Sequence, residues 1–134
     1  MTTDQRPTTI VVAAAVVERQ DHYLVTRRLK GTHLAGCWEF PGGKCADGES
    51  LAACLARELH EELAVGVRVG DELFRTTHAY PDRHVTLHFF RCDLAGEPAP
   101  QLGQEMRWVA AAELHTLDFP PADSELVAML AGRT

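Results

Sequence analysis

Residues 50–63 restrict this chain to folds that bury one side of a single long helix and leave a carboxylate cluster on it within reach of a ligand. Ser50 is placed to N-cap that helix, because its hydroxyl can accept from an amide of the first turn. Leu55, Leu59 and Leu63, with Ala52 and Ala56, recur at i, i+4 and i+8 and predict the buried face. Glu58, Glu61 and Glu62, spaced i, i+3 and i+4, fall within an arc of about 100° that is expected to lie opposite the leucine ridge. Carboxylates this close repel, each like-charge pair costing roughly 0.2–0.5 kcal/mol on an isolated helix. A hard divalent cation reverses that sign, since magnesium takes oxygen ligands and bridges carboxylates to substrate phosphates. A lone E-x-x-E-E is better explained by a solvated acidic face. Its surroundings carry the argument further. Pro41-Gly42-Gly43 precedes the helix and reads as a turn whose missing side chains let backbone approach a phosphate closely. Arg57 can form a bidentate pair with Glu49 and so orient the carboxylates.

Strand-like segments flank this helix. Residues 8–17 are rich in β-branched side chains and read as a buried strand; residues 19–21 make a polar turn before a second strand at 22–26. A basic loop spans 27–36 and a short apolar segment 38–40. Beyond Gly66, residues 67–69, 72–79 and 85–92 read as three further strands, and 107–109 as a closing one. Residues 111–115 suit a helical turn and 121–131 a terminal helix with proline early and Gly132 past its end. No internal repeat or linker interrupts the 134 residues, so a single α/β domain is expected.

Charge narrows the function classes. A formal net charge of −6 with no basic block argues against binding of polymeric nucleic acid, which needs a basic stripe. A small anionic substrate is compatible with that charge, because a bound cation inverts the local field. Cys37, Cys45, Cys54 and Cys92 form no C-x-x-C pair, so they read as reduced thiols acting as small hydrophobes rather than zinc ligands. Residues 1–7 are polar, without a signal-peptide core, and the apolar run 10–17 is far too short to span a bilayer. A cytoplasmic protein without membrane partners is the expectation; the oligomeric state is left open.

The pattern G-x5-E-x7-R-E-L-x-E-E, running here from Gly43 to Glu62, resembles the Nudix box. One departure stands at Ala64, where that family usually has glycine to serve the helix C-terminus. Residues 26–28, 38–44, 81–87 and 118–123 also resemble the MutT branch, so the resemblance covers nearly the whole chain. It implies the Nudix fold, a mixed β-sheet sandwiched between α-helices. The implied reaction is hydrolysis of a small-molecule nucleoside triphosphate to monophosphate and pyrophosphate, by water attack at the β-phosphorus with Mg2+ or Mn2+ as cofactor. Glu58, Glu61 and Glu62 are the expected helix ligands, with Glu39 and the Gly42 carbonyl completing the shell. Glu58 is also the expected proton acceptor from the attacking water, while Arg57 and Glu49 orient the cluster.

The same branch often supplies a distal-loop glutamate. One alignment puts Leu102 there; the other makes Glu105 the nearest carboxylate. Lys44 is placed to meet a phosphate, with a solvated surface lysine as the alternative. Arg28 and Phe40 match segments near the base or sugar, with surface charge and core packing as their alternatives. Asp123 stands where MutT has asparagine. As an ionised carboxylate it only accepts hydrogen bonds, which suits the N1 and amino hydrogens of an oxidised guanine or the amine of cytosine. The substrate that the resemblance implies is therefore 8-oxo-dGTP, with a CTP or 5-methyl-dCTP type as the alternative. A non-catalytic nucleotide-binding domain would generally have lost box carboxylates that this chain keeps. A prenyl-diphosphate isomerase would need cysteine and glutamate motifs that it lacks.

Overall fold

Alternation and branching place the strands. In the computed structural model, which describes residues 8–132, β1 (Thr8–Val16) carries Ala13 and Ala15 on one face and Ala14 and Val16 on the other, all buried. A strand buried on both faces belongs inside a sheet covered on both sides. β1 occupies that place, pairing parallel with β7 (Arg83–Leu94) and antiparallel with the short β5 (Gly42–Lys44). β6 (Val67–Ala79) completes the order β5-β1-β7-β6. The sheet is therefore mixed, as expected.

A second sheet is built on β3 (His22–Arg27). It pairs with β2 (Glu18–Arg19) across a tight turn at Gln20 and Asp21, with β4 (Trp38–Glu39), and with β8 (Met106–Ala110). Gln20 and Asp21 both have positive φ, 51° and 64°, as a two-residue hairpin of matching twist requires.

Two helices cover the strands from opposite sides. α1 (Leu51–Leu63) packs Cys54, Leu55, Leu59 and Leu63 against Ala13, Ala15, Val17, Leu24 and Cys92. α2 (Ser124–Ala131), with the 3-10 segment Ala111–Thr116, packs Leu126, Leu130 and Leu114 against Ala14, Val16, Val25 and Phe89. The expected sandwich is present. The polar segment 1–7, on which the cytoplasmic expectation partly rests, lies outside the described residues. No helix among the described residues is long and apolar enough to cross a membrane.

Several local expectations are corrected. Gly42 and Gly43 do not form a turn: they pair with Ala14 and Ala13 as strand β5. The two strands expected at 67–69 and 72–79 are one strand, whose register shifts near Gly70 hide its continuity in the alternation pattern. The terminal helix begins as a separate 3-10 turn, Pro121–Asp123. Ala52 and Ala56 are exposed, and the buried face of α1 turns the other way, toward Cys54.

Candidate active site

The site begins with the cap of α1. Ser50 accepts from the Ala53 amide at 3.1 Å, as its position predicts, and Glu49 accepts from the Ala46 amide at 2.9 Å, fixing the turn ahead of the helix. From the second turn of α1, Arg57 reaches back to this pinned carboxylate. Its Nε and Nη2 each donate to Glu49 at 2.9 Å, Nη2 also donates to the Lys44 carbonyl at 3.0 Å, and Nη1 donates to Glu58 at 2.8 Å. The bidentate pair is a planar fork that a lysine cannot reproduce. The Arg57 guanidinium and the Ala46 amide hold the Glu49 carboxyl down at about 2.

Glu58 owes its position to a missing side chain. A Cβ on Gly43 would overlap the Glu58 carboxylate, and a Cβ on Gly42 would overlap the backbone of Ala13 and Ala14. The two glycines therefore serve close approaches within the chain, of β5 to β1 and of α1 to β5, rather than leaving space for a phosphate as their sequence suggested.

That packing also reorients the acidic cluster. Glu58 and Glu62 flank the buried leucines instead of opposing them; the Glu58 side chain is 14% exposed, whereas Glu61 is 57% exposed and touches Arg57 only at 3.5 Å. Glu39, from β4, points into the same region. Burial, followed by the charges of Glu39 and Glu58, pushes the Glu62 carboxyl up to about 8, although the Gly42 amide donates to it. Burial likewise raises Glu39, with Glu58 adding to the effect and Arg28, at 2.8 Å, opposing it. Anionic oxygens held this close and out of water lack positive charge. Among the described residues, no group of three or more acidic, cysteine or histidine side chains is arranged to hold a metal ion. Magnesium needs none: it takes one or two carboxylates and fills its octahedron with water and substrate phosphate. The donor set, hard oxygens only, fits such an ion at Glu58 and Glu62, with Glu39 and Glu61 at its margin.

A cleft opens beside this cluster. Its inner lobe, about 170 Å³, is lined by Thr26, Arg28, Glu39, Glu62, Leu102 and Gln104. The outer lobe, about 400 Å³, shares Arg27, Arg28 and Gln104 and adds Lys30 and Glu105. Glu39 and Glu62 line only the inner lobe and Lys30 only the outer, a gradient that suits a cation with an anionic substrate over it. Arg28 spans both lobes. Glu105 does not join the helix carboxylates; Arg27 at 3.1 Å and Arg107 at 3.5 Å pair with it instead. Lys44 is exposed at the edge of β5, and its carbonyl, not its ammonium, is engaged by Arg57. Phe40 turns into the core, stacked on Phe119 and edge-on to Phe89.

Asp123, at the start of α2, is 4% exposed and lines neither lobe. Burial and then the Glu39 charge push its carboxyl up to about 7. The expectation of a carboxylate that only accepts is corrected here: near neutral pH the protonated form, which also donates, is well populated.

Sequence reasoning passed over Gln104, a buried polar side chain in the cleft wall. A glutamine in a loop carries no signal until its partners are known.

Comparison with known proteins agrees with this geometry. The NUDIX domain family model matches residues 12–129. The chain is 45% identical over 130 residues to a putative 8-oxo-dGTP diphosphatase 2 of Mycobacterium tuberculosis, covering 91% of this chain and 87% of that protein. It is 33% identical to the CTP pyrophosphohydrolase of Escherichia coli, covering 88% of each. The solution structure of the E. coli ORF135 protein superposes with a TM-score of 0.83 at 32% identity, covering 95% and 94% of the two chains. A MutT structure from a study of the Aliivibrio salmonicida and Vibrio cholerae enzymes gives 0.75 at 28% identity, covering 95% and 100%. With an arginine-braced glutamate cluster beside the inner lobe of its cleft, the chain belongs to the Nudix domain family, as a MutT-type hydrolase of phosphoric anhydrides.

Proposed function

We propose that this enzyme is a magnesium-dependent nucleoside triphosphate pyrophosphohydrolase whose preferred substrate is 8-oxo-dGTP. The observation that carries the reading is that Glu39 and Glu62 line the inner lobe of a cleft with a basic outer lobe, and that the charge of Glu58 acts on Glu62 from beside it. Glu58 and Glu62 hold the ion, with Glu61 and the Gly42 carbonyl as further ligands. When bound, magnesium neutralises charge on the phosphates and acidifies the attacking water. Arg57, itself saturated by Glu49 and Glu58, keeps the Glu58 carboxylate aimed at the site. Glu58 accepts the proton of the water that attacks the β-phosphorus; the bond from that phosphorus to the α–β bridging oxygen breaks, the nucleoside monophosphate leaves, and the water oxygen ends in pyrophosphate. Arg28 meets the phosphates from the cleft side and Lys44 from the exposed end of β5, and Phe40 backs the base pocket from the core. Glu105 enters as a distal carboxylate, and its test is simple: Glu105→Gln lowers turnover at saturating magnesium if it takes part and leaves it unchanged if it only pairs with Arg27 and Arg107.

The greater identity to the relative named for 8-oxo-dGTP supports the purine reading. A cytidine nucleotide is the second reading, supported by the relative named for CTP. Pyrophosphate release from 8-oxo-dGTP, dGTP, CTP, dCTP, 5-methyl-dCTP and ADP-ribose decides between them, with Glu61→Gln and Glu62→Gln as controls. A lead of about tenfold in kcat/KM, worth about 1.4 kcal/mol of transition-state binding, for 8-oxo-dGTP upholds the first reading. A lead for a cytidine nucleotide replaces it with the second.

A further inference from the structure

The last turn of a helix is its weakest part, because its final carbonyls have no partner within the helix and the turn frays unless something outside holds it. In α1 that turn carries Glu61 and Glu62. It ends at Ala64 in the left-handed region, φ 51°, where only the His60 carbonyl is satisfied by the cap. The next carbonyls are satisfied by another part of the chain. Ala99 N–H donates to Leu63 O at 2.8 Å and Gln101 N–H to Glu62 O at 2.9 Å. Gln104 adds a side-chain bond: its Nε2 donates to the same Glu62 carbonyl at 3.1 Å, while its Oε1 accepts from the Leu102 amide at 2.9 Å.

Both ends of the Gln104 amide are thus used, one on the helix and one on the loop. Leu102, 56% exposed, is the apex of that loop and lines the inner lobe with Glu39 and Glu62. The following residue extends the connection, since the Arg27 amide donates to the Glu105 carbonyl at 3.0 Å and thereby ties the loop to β3. Arg28, next on that strand, pairs with Glu39.

We propose that Gln104 is a positioning residue that clamps the Glu62 turn of α1 to the Leu102 loop, so that metal affinity and turnover depend on it. The inference rests on the reading of Glu62 as a metal ligand. A carboxylate on a fraying turn samples many positions, and an ion that needs near-octahedral oxygens gains less from it. The Gln104 side chain removes that freedom without touching ion or substrate.

The test uses the whole chain, with Gln104→Met removing both hydrogen bonds and Gln104→Glu keeping the acceptor for Leu102 but losing the donor to Glu62. Three measurements are made: Mn2+ binding by electron paramagnetic resonance, kcat and KM on the preferred nucleotide, and amide exchange of residues 60–64 in EDTA. Both variants are expected to weaken Mn2+ binding and lower kcat by about tenfold, the range for partners that orient metal ligands. KM stays within about threefold, and exchange of residues 60–64 quickens, because one capping bond of three is lost. A merely structural role would lower thermal stability without changing Mn2+ affinity. If Gln104→Met fails to fold, Gln104→Glu, nearly isosteric, gives the same readouts. Folded variants with Mn2+ affinity and kcat within about twofold of the parent overturn the proposal. Should Glu62→Gln itself bind Mn2+ as the parent does, the ligand reading falls and the proposal with it. That outcome is distinguishable, because exchange of residues 60–64 in the Gln104 variants still reports whether the clamp exists.

Discussion

Replacing Asp123 with asparagine tests the electrostatics of the site without any substrate. In the folded chain burial, and after it the Glu39 charge, carry the Asp123 carboxyl from 3.8 to about 7. The native state therefore binds this proton more tightly than the unfolded chain does. Its contribution to stability is fully present below about pH 3.8, falls as pH rises, and is lost once pH passes about 7. At about 1.4 kcal/mol for each pH unit, the gap corresponds to about 4 kcal/mol, a large part of the roughly 5–15 kcal/mol that holds a domain together. Asparagine occupies the same volume and has no charge to bury. The Asp123→Asn chain should therefore gain on the parent by about 4 kcal/mol between pH 4 and pH 8. The assay is urea unfolding in EDTA at a series of pH values, followed through the buried Trp38. Taking the difference between the two chains removes titrations that do not touch Asp123; Glu39, whose charge acts on Asp123, is coupled to it and forms part of the measured effect. A constant offset between the curves reflects how well the amide is accommodated and says nothing about charge. If the difference stays flat within about 0.5 kcal/mol from pH 4 to pH 8, Asp123 is not a desolvated carboxyl and the account of this corner is wrong.

Other consequences concern the helix and its supports. Ala64→Gly relieves an alanine held at φ 51°, a penalty of roughly 1–2 kcal/mol partly offset by the freedom glycine gains when unfolded; a net gain of about 0.5–1 kcal/mol should appear as a higher Tm in calorimetry. Gly43→Ala puts a methyl group where the Glu58 carboxylate lies, so kcat should drop on the order of 100-fold, and a crystal structure with Glu58 undisturbed would contradict this. Arg57→Lys keeps the charge but loses the fork to Glu49 and the bond to Lys44; turnover should fall about 10–100-fold while circular dichroism is unchanged, and a near-parental kcat would show that Arg57 does not aim Glu58. Chelation with EDTA should abolish hydrolysis and Mn2+ should restore it; activity persisting in EDTA would remove the carboxylate cluster from the mechanism.

The sequence by itself determined what depends on near neighbours. The extent of α1, its Ser50 cap and the Arg57–Glu49 pair follow from residues a few positions apart, where helical period and capping chemistry act. The strand at residues 8–16 was legible too, because β-branching and apolarity are local. Only the tertiary structure decided which charges meet. Gly42 and Gly43 are strand residues because β1 lies against them, and an isolated Pro-Gly-Gly carries no sign of that neighbour. Glu58 and Glu62 turn inward because Gly43 leaves room for one of them and the second sheet brings Glu39 to both. Asp123 and Gln104 acquire their properties from elements far away in sequence: Glu39 for the first, and the end of α1 for the second. Periodicity records which side of an element is apolar. Protonation and hydrogen-bond partnership depend instead on burial and on oxygen and nitrogen atoms a few ångströms away, and those distances exist only once the chain has folded.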